Sequence, residues 1–186
     1  MGESQVAAHQ IGMQIWILLA LVLDATAIAA QALVGGLLGA GAIAIARTLA
    51  RRLVIAGAGL GVGFGGILAL GHDAIPQLFT DDAAVLAACA LLWPFLAGMM
   101  PLNGVLFALD GVLFGAGDLR FMRNVTVAAA LFGFLPLTLY AAATGGGLAI
   151  IWAGLSAFIL VRPVGGLARW RGDAWAVGGA HLSDEA

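Results

Sequence analysis

The sequence predicts an all-helical membrane protein with about five transmembrane helices. Of its 186 residues, 62% are hydrophobic and only 10% are charged, whereas soluble domains contain about 25% charged residues. The mean hydropathy is +1.06. The apolar residues form long segments of the roughly 20 residues that a membrane span needs, without the alternation of a barrel strand. Backbone groups in lipid must bond within their own segment, so each segment is expected to be a helix.

The predicted transmembrane lobe covers residues 1–171. We place its helices at residues 6–38, 53–71, 83–117, 125–144 and 148–167, followed by a short polar tail at 172–186. The first is longer than one span needs, so it should tilt or project. The second follows Arg52, and the third follows Asp81 and Asp82 and should kink at Pro94 and Pro101. The fourth and fifth each have the length of a single span.

The basic residues indicate how the chain is oriented. All eight are arginines, and they form three clusters: Arg47, Arg51 and Arg52 after the first segment, Arg120 and Arg123 after the third, and Arg162, Arg169 and Arg171 after the fifth. The two other connections contain no arginine. The positive-inside rule therefore predicts an N-terminus outside and a C-terminus in the cytoplasm. Trp170 and Trp175 follow the last segment, where aromatic side chains are expected to anchor a span at the membrane surface.

Asp24 lies near the middle of the first apolar segment. A charged side chain there costs about 2.5–3.5 kcal/mol, and such residues are rarely directed at lipid. Gln31, seven residues on, returns to nearly the same helix face. Small residues share that face: Ala20, Ala27 and Gly35. This stripe predicts a proton, cation or substrate contact, and the alternative is a structural hydrogen bond between two helices.

The third segment repeats this spacing with Asn103 and Asp110. Asp110 lies near the arginine-rich end of the segment, where its alternative role is helix capping or an ion pair with Arg120 or Arg123. Asn103 lies deeper, beside Pro101. Because a proline kink frees backbone carbonyls, a cation could also be coordinated there.

Glycines recur through residues 57–66 of the second segment. Gly61, Gly63 and Gly66 match the G-x-G-x-x-G pattern of dinucleotide-binding proteins, but that site needs a preceding strand. The same run contains G-x-x-x-G spacings, such as Gly57 with Gly61. Within an apolar span, close packing between helices is the better explanation.

The residues give no indication of an enzyme, a cofactor site or a nucleic-acid surface. Cys89 is the only cysteine, which excludes an internal disulfide and a cysteine-based metal site. His9, His72 and His181 do not have the spacing of metal ligands.

Several short motifs are similar to those of a known transporter family. They are residues 6–11 (VAAHQI), 23–35 (LDATAIAAQALVG), 38–41 (LGAG) and 109–118 (LDGVLFGAGD), with Arg120 and 122–124 (MRN) after the last. Together they resemble the multidrug and toxic compound extrusion (MATE) family, and its DinF-like branch in particular. Ala42 departs from the family, which often has Asp or Asn at that position.

The resemblance implies a fold, partners and a location. MATE transporters have about twelve spans in two lobes, and this chain resembles spans eight to twelve, so we expect a C-terminal fragment. Its partners would be the lipid bilayer, small organic substrates and the missing spans one to seven. The expected location is the bacterial plasma (inner) membrane, which the chain would cross several times.

The resemblance also implies a function. A full-length relative would export organic, often cationic, compounds in exchange for H⁺ or Na⁺, with no other cofactor. Asp24, Gln31, Asn103 and Asp110 are then the candidates for contacting substrate or the coupling ion. One alternative is a non-transporting relic or a subunit that depends on a partner. A lipid flippase-like relative is a weaker alternative, since such cavities tend to contain arginine and no arginine is expected within a span core.

Overall fold

The computed structural model describes residues 2–172 and 174–178, and it is all-helical over these residues. Its elements are α1 (Glu3–Gly39), α2 (Ile43–Leu70), α3 (Ala74–Gln77), α4 (Ala83–Gly115), α5 (Leu119–Ala128), a π-helical segment (Ala129–Phe134), α6 (Leu135–Thr144) and α7 (Leu148–Arg171). Together, α5, the π segment and α6 form one span. Within the described residues, five spans are thus long and apolar enough to cross a membrane, which confirms the predicted fold class. Most of the predicted tail lies outside the described residues.

Helix α4 is the centre of the bundle. It packs against α1, α2 and α7, and α7 packs in turn against the π segment and α6. The largest fully buried side chains of α4 are Leu92, Leu96, Met99, Met100, Leu109, Val112 and Leu113. Pro94 and Pro101 lie inside α4 without ending it. The long third segment is therefore the element on which the other spans assemble.

Glycines bring α2 and α4 into backbone contact. A Cβ atom on Gly57 would lie 2.5 Å from the carbonyl oxygen of Gly104, and one on Gly61 would collide with the carbonyl of Met100. The alternate glycines of the run point into open space: Gly59, Gly63 and Gly66. Small residues let helix backbones approach closely in membranes. The structure thus confirms the packing interpretation of the glycine run.

A second close contact joins α1 to α4. A Cβ atom on Gly111 would collide with the carbonyl of Ala27, and one on Gly115 would lie 2.6 Å from the carbonyl oxygen of Gln31. Gly35 also faces Gly115. These contacts fix the middle of α1 against the last turns of α4. Asp24 of α1 and Asp110 of α4 lie in this region.

Helix α2 begins earlier than predicted. It starts at Ile43 rather than Leu53, so Arg47, Arg51 and Arg52 belong to the helix and not to a connecting loop. Alanine and arginine are among the strongest helix formers, and residues 43–53 are rich in both. Hydropathy locates the part of a helix within lipid, whereas the helix itself continues into the polar surface layer.

The fourth span is interrupted at its middle by the π segment Ala129–Phe134. Pro136 follows directly, and its ring crowds the carbonyl four residues earlier, so a regular α-turn is disturbed there. Gly133 faces α7, where an added Cβ would lie 3.0 Å from the backbone nitrogen of Phe158. The wider turn thus lies at a close backbone contact between the two spans.

The end of the described chain folds back onto the bundle. Trp175 is only 3% exposed and packs in a cluster with residues of α1 and α2, including Val34 and Ala46. Its Nε1 donates to the carbonyl oxygen of Trp170 at 3.0 Å. The expectation of a membrane-surface anchor is therefore wrong for Trp175, because its ring is buried within the protein.

Asp82 caps the N-terminus of α4. Its Oδ1 accepts from the backbone nitrogens of Ala84 at 2.8 Å and Val85 at 3.4 Å. Replacing Asp82 by alanine should lower the free energy of unfolding by about 1 kcal/mol, since two backbone donors lose their acceptor. Thermal unfolding in detergent measures the change. Asp81→Ala removes the same charge without the cap, and an equal loss in both variants would contradict the capping role.

Candidate site: an ion pair inside the bundle

An ion pair joins α4 to α7 within the bundle. One oxygen of the Asp110 carboxylate, Oδ2, accepts from Nη2 of Arg162 at 2.7 Å. Both side chains are largely buried, with 17% and 20% of their surfaces exposed. Arg162 lies about 14 Å from the end of α7 at Arg171, at 1.5 Å per residue. The pair is therefore a charge-assisted contact inside the apolar part of the protein.

The guanidinium of Arg162 has further contacts. Its Cζ atom lies 5.6 Å from the ring centroid of Phe158, one turn earlier on α7, which is a cation–π geometry. Its Nε is buried and has no hydrogen-bond partner among the described residues. The position of Arg162 thus depends on Asp110 and Phe158, and one of its donors stays available.

A second ion pair lies toward the arginine-rich end of the same interface. Arg169 donates from Nε to Oδ2 of Asp118 at 2.6 Å, and its Cζ lies 5.5 Å from the ring centroid of Phe121. The two pairs form a ladder between α7 and the end of α4. The ladder fixes the register of the two elements, because each arginine has an acidic partner at the matching level.

Two sequence-based expectations about arginine are wrong. The partner of Asp110 is Arg162, not Arg120 or Arg123, both of which are exposed on α5. The sequence groups Arg162 with the cluster at the end of the fifth segment, but it lies within the predicted bounds 148–167 and inside α7. The expectation that no arginine lies within a span core is therefore also wrong, and it no longer argues against a flippase-like relative. The predicted bounds of the fifth segment, residues 148–167, are the sequence signal that places Arg162 within a span.

Asp24 lies within electrostatic range of this ion pair. Its charge acts on the Asp110 carboxylate, but more weakly than burial and Arg162 do. Its side chain is exposed and lines an open pocket of about 230 Å³. The other lining residues are Trp16, Ile17, Ala20, Leu21 and Phe107. We refer to Asp24, Asp110 and Arg162 together as the acidic cluster. An open apolar and aromatic pocket lies on its Asp24 side.

The other two predicted residues are placed differently. The side chain of Gln31 is exposed and does not line the pocket beside Asp24, although its backbone packs against Gly115. Asn103 is only 1% exposed, and its Oδ1 has no hydrogen-bond partner among the described residues. It lies about 10 Å along α4 from Asp110. The roles of both in substrate or ion binding stay predictions.

The composition of the cluster limits its chemistry. The cluster contains two carboxylates and one guanidinium, of which only Asp110 and Arg162 are hydrogen-bonded to each other, so it has one negative charge in excess when fully ionised. Within the described ranges, no three His, Cys, Asp or Glu side chains are grouped to hold a metal ion. A single proton or monovalent cation would balance the charge.

Comparison with known proteins identifies the family. The MatE family model matches residues 1–139, the larger part of the chain. The chain belongs to the MatE family. Three similar MatE relatives come from Arabidopsis thaliana. Protein DETOXIFICATION 44, chloroplastic, is 36% identical over 171 residues, and Protein DETOXIFICATION 42 is 32% identical over 170 residues. Protein DETOXIFICATION 45, chloroplastic, is 30% identical over 188 residues.

These alignments cover nearly all of this MatE chain but a minor part of its relatives. They include 91%, 91% and 99% of the chain, respectively, and 32% of each relative. The chain thus spans about a third of the length of the curated MatE proteins it matches. No solved structure matches it significantly.

Proposed function

We propose that this chain is the second-lobe part of an efflux transporter that exports organic, often cationic, compounds in exchange for H⁺ or Na⁺. The observation that supports it best is the cluster of Asp24, Asp110 and Arg162 within apolar helices. Ionisable residues inside a membrane are costly and generally belong to substrate or ion pathways. Membership of the MatE family supports the transport class.

The charge of the cluster gives a mechanism for coupling. Arg162 compensates Asp110, which leaves Asp24 as the carboxylate whose charge needs a proton or a cation. A bound ion shifts a conformational equilibrium only if its affinity differs between the two states. Moving Asp24 between an aqueous cavity and an apolar contact would supply that difference, because desolvation disfavours the charged carboxylate.

The pocket beside Asp24 suits an organic cation. A carboxylate attracts the positive charge, while the rings of Trp16 and Phe107 offer apolar and cation–π contacts. The pocket is open on one side, and we propose that the remaining spans of a complete transporter close it. Substrate would then lie between the two lobes, as alternating access requires.

The proposed location is the plasma (inner) membrane of a bacterium, in the DinF-like branch, with the N-terminus outside. The sequence motifs support the branch, and the arginines at the start of α2, in α5 and at the end of α7 support the orientation. Two of the plant relatives are named chloroplastic. Localisation of a tagged full chain in its native cells would separate a plasma membrane from an organelle membrane.

Exchange of Asp24 for asparagine tests the function. Cells without drug pumps of their own would express the chain, alone and joined to any upstream coding sequence in the same frame. Ethidium accumulation should fall on expression of the active form, and Asp24→Asn should abolish the fall while leaving the protein level intact. Asp81→Asn, an exposed acid outside the cluster, is the matched control. Normal export by Asp24→Asn would refute its role.

A non-transporting relic or a partner-dependent subunit is the second candidate. The observation that favours it is the coverage of only 32% of the relatives' length, together with an exposed Asp24 on α1. Ethidium accumulation that stays unchanged with every in-frame form would support a relic. Export that appears only on co-expression with a separate first-lobe chain would support the subunit.

A further inference from the structure

A second polar site lies at the arginine-rich end of the bundle, away from the acidic cluster. It is a pocket of about 200 Å³ between the first turns of α2 and the end of α7. Its lining residues are Arg47, Arg51, Trp170, Arg171, Gly172 and Trp175. One water occupies about 30 Å³ in the liquid, so the pocket has room for a phosphate group. No acidic side chain among the described residues lines it.

Two of the arginines are available to a ligand. Arg47 already interacts within the chain. Arg51 and Arg171 are exposed and form no ion pair among the described residues. They approach from different helices, so their guanidinium groups flank the pocket on two sides. Planar guanidinium groups bind phosphate oxygens in pairs of hydrogen bonds, which makes arginine well suited to this ligand.

One wall of the pocket is packed against the bundle. The ring of Trp175 is 3% exposed, packed against α1 and α2, and fixed by its bond to the carbonyl of Trp170. The first turns of α2 and the last of α7 are thus joined by a packed aromatic pair. A ligand held by Arg51 and Arg171 would meet a formed site and not a flexible surface.

The pocket lies at the level of the lipid headgroups along the helix axes. From Arg51 to Leu70, α2 extends about 29 Å at 1.5 Å per residue, close to the 30 Å of a bilayer's hydrocarbon core. Arg51 therefore lies at the edge of that core, and Arg171 ends a helix that also crosses it. Trp170, which is partly exposed, also fits this layer, which tryptophan side chains favour.

We propose that this pocket binds the phosphate of an anionic phospholipid headgroup. Arginines near an anionic membrane surface attract it, and two that share one headgroup should give at least about tenfold preference over a zwitterionic lipid. The site is separate from the proposed transport cluster. Its test therefore succeeds or fails without regard to transport.

The test compares lipids on the full chain purified in detergent, with retained lipids counted by native mass spectrometry. Phosphatidylglycerol should bind about tenfold more tightly than phosphatidylcholine. The Arg51→Gln, Arg171→Gln double variant should lose this preference. The Arg52→Gln, Arg120→Gln variant removes the same charge at the same end of the bundle but outside the pocket, and it should keep the preference. Equal losses in both double variants would overturn the site.

Two further arms complete the test. Phosphatidylglycerol should raise the thermal unfolding midpoint of the unchanged chain more than phosphatidylcholine does, because a ligand stabilises the folded state it binds. Equal midpoints would overturn the proposal even if the pocket variant did not fold. Excess inorganic phosphate should fail to displace phosphatidylglycerol. Full displacement would show that free phosphate, and not a lipid, is the ligand.

Discussion

Replacing Gly61 by leucine should separate α2 from α4 and destabilise the whole bundle. Even a Cβ atom at Gly61 collides with the carbonyl of Met100 and lies 3.0 Å from the Cα atom of Pro101. Both neighbours are backbone atoms of the central helix, so no side-chain rotation can relieve the clash. Overpacking commonly costs about 1–3 kcal/mol, and with rigid neighbours we expect about 3 kcal/mol or more. Thermal unfolding in detergent measures the loss.

Gly63→Leu is the matched control for this experiment. Gly63 lies on the same helix, two residues away, and an added Cβ there meets nothing within 4 Å. The same substitution should change the unfolding midpoint little, since the new side chain points away from the protein. If the two variants lost equal stability, the cost would come from glycine's general effect on the helix and not from contact with α4.

The glycine run shows how much of this fold could be predicted from sequence. The number of spans and their packing by small residues followed from hydropathy and from the spacing of Gly57 and Gly61. The helix that packs against these glycines could not be predicted, because a G-x-x-x-G pattern fits any surface of small residues. Gly104 and Gly111 supply that surface on α4, and only the three-dimensional arrangement assigns one to α2 and the other to α1.

The acidic cluster could be predicted only in part. The cost of placing a charge in lipid is enough to mark Asp24 and Asp110 as unusual in apolar segments, and the structure places the two within electrostatic range of each other. The sequence does not identify Arg162 as the partner of Asp110, because the positive-inside rule assigns clusters of arginine to the ends of spans. An arginine that is paired within the protein has no need to reach the membrane surface. Pairing across 52 positions of sequence is invisible to a rule based on local composition.

Replacing Asp110 by asparagine should be strongly destabilising. The substitution keeps the size of the side chain but removes the charge that balances Arg162 at 2.7 Å. Leaving one member of a buried ion pair uncompensated typically costs about 3–5 kcal/mol. The double variant Asp110→Asn, Arg162→Gln removes both charges and should recover most of that loss. Unfolding midpoints of the two variants and the parent chain give the coupling between the residues.

The Asp118–Arg169 pair provides the control within the same interface. Arg169 is 31% exposed, so its charge can be solvated when its partner is removed. Asp118→Asn should therefore cost less than Asp110→Asn, although the Asp118 side chain itself is only 14% exposed. Equal losses for Asp110→Asn and Asp118→Asn, or no recovery in the double variant, would show that the Asp110–Arg162 charges already reach water. In that case Arg162 would not neutralise Asp110 inside the bundle, and Asp24 would no longer be singled out as the carboxylate left for the coupling ion.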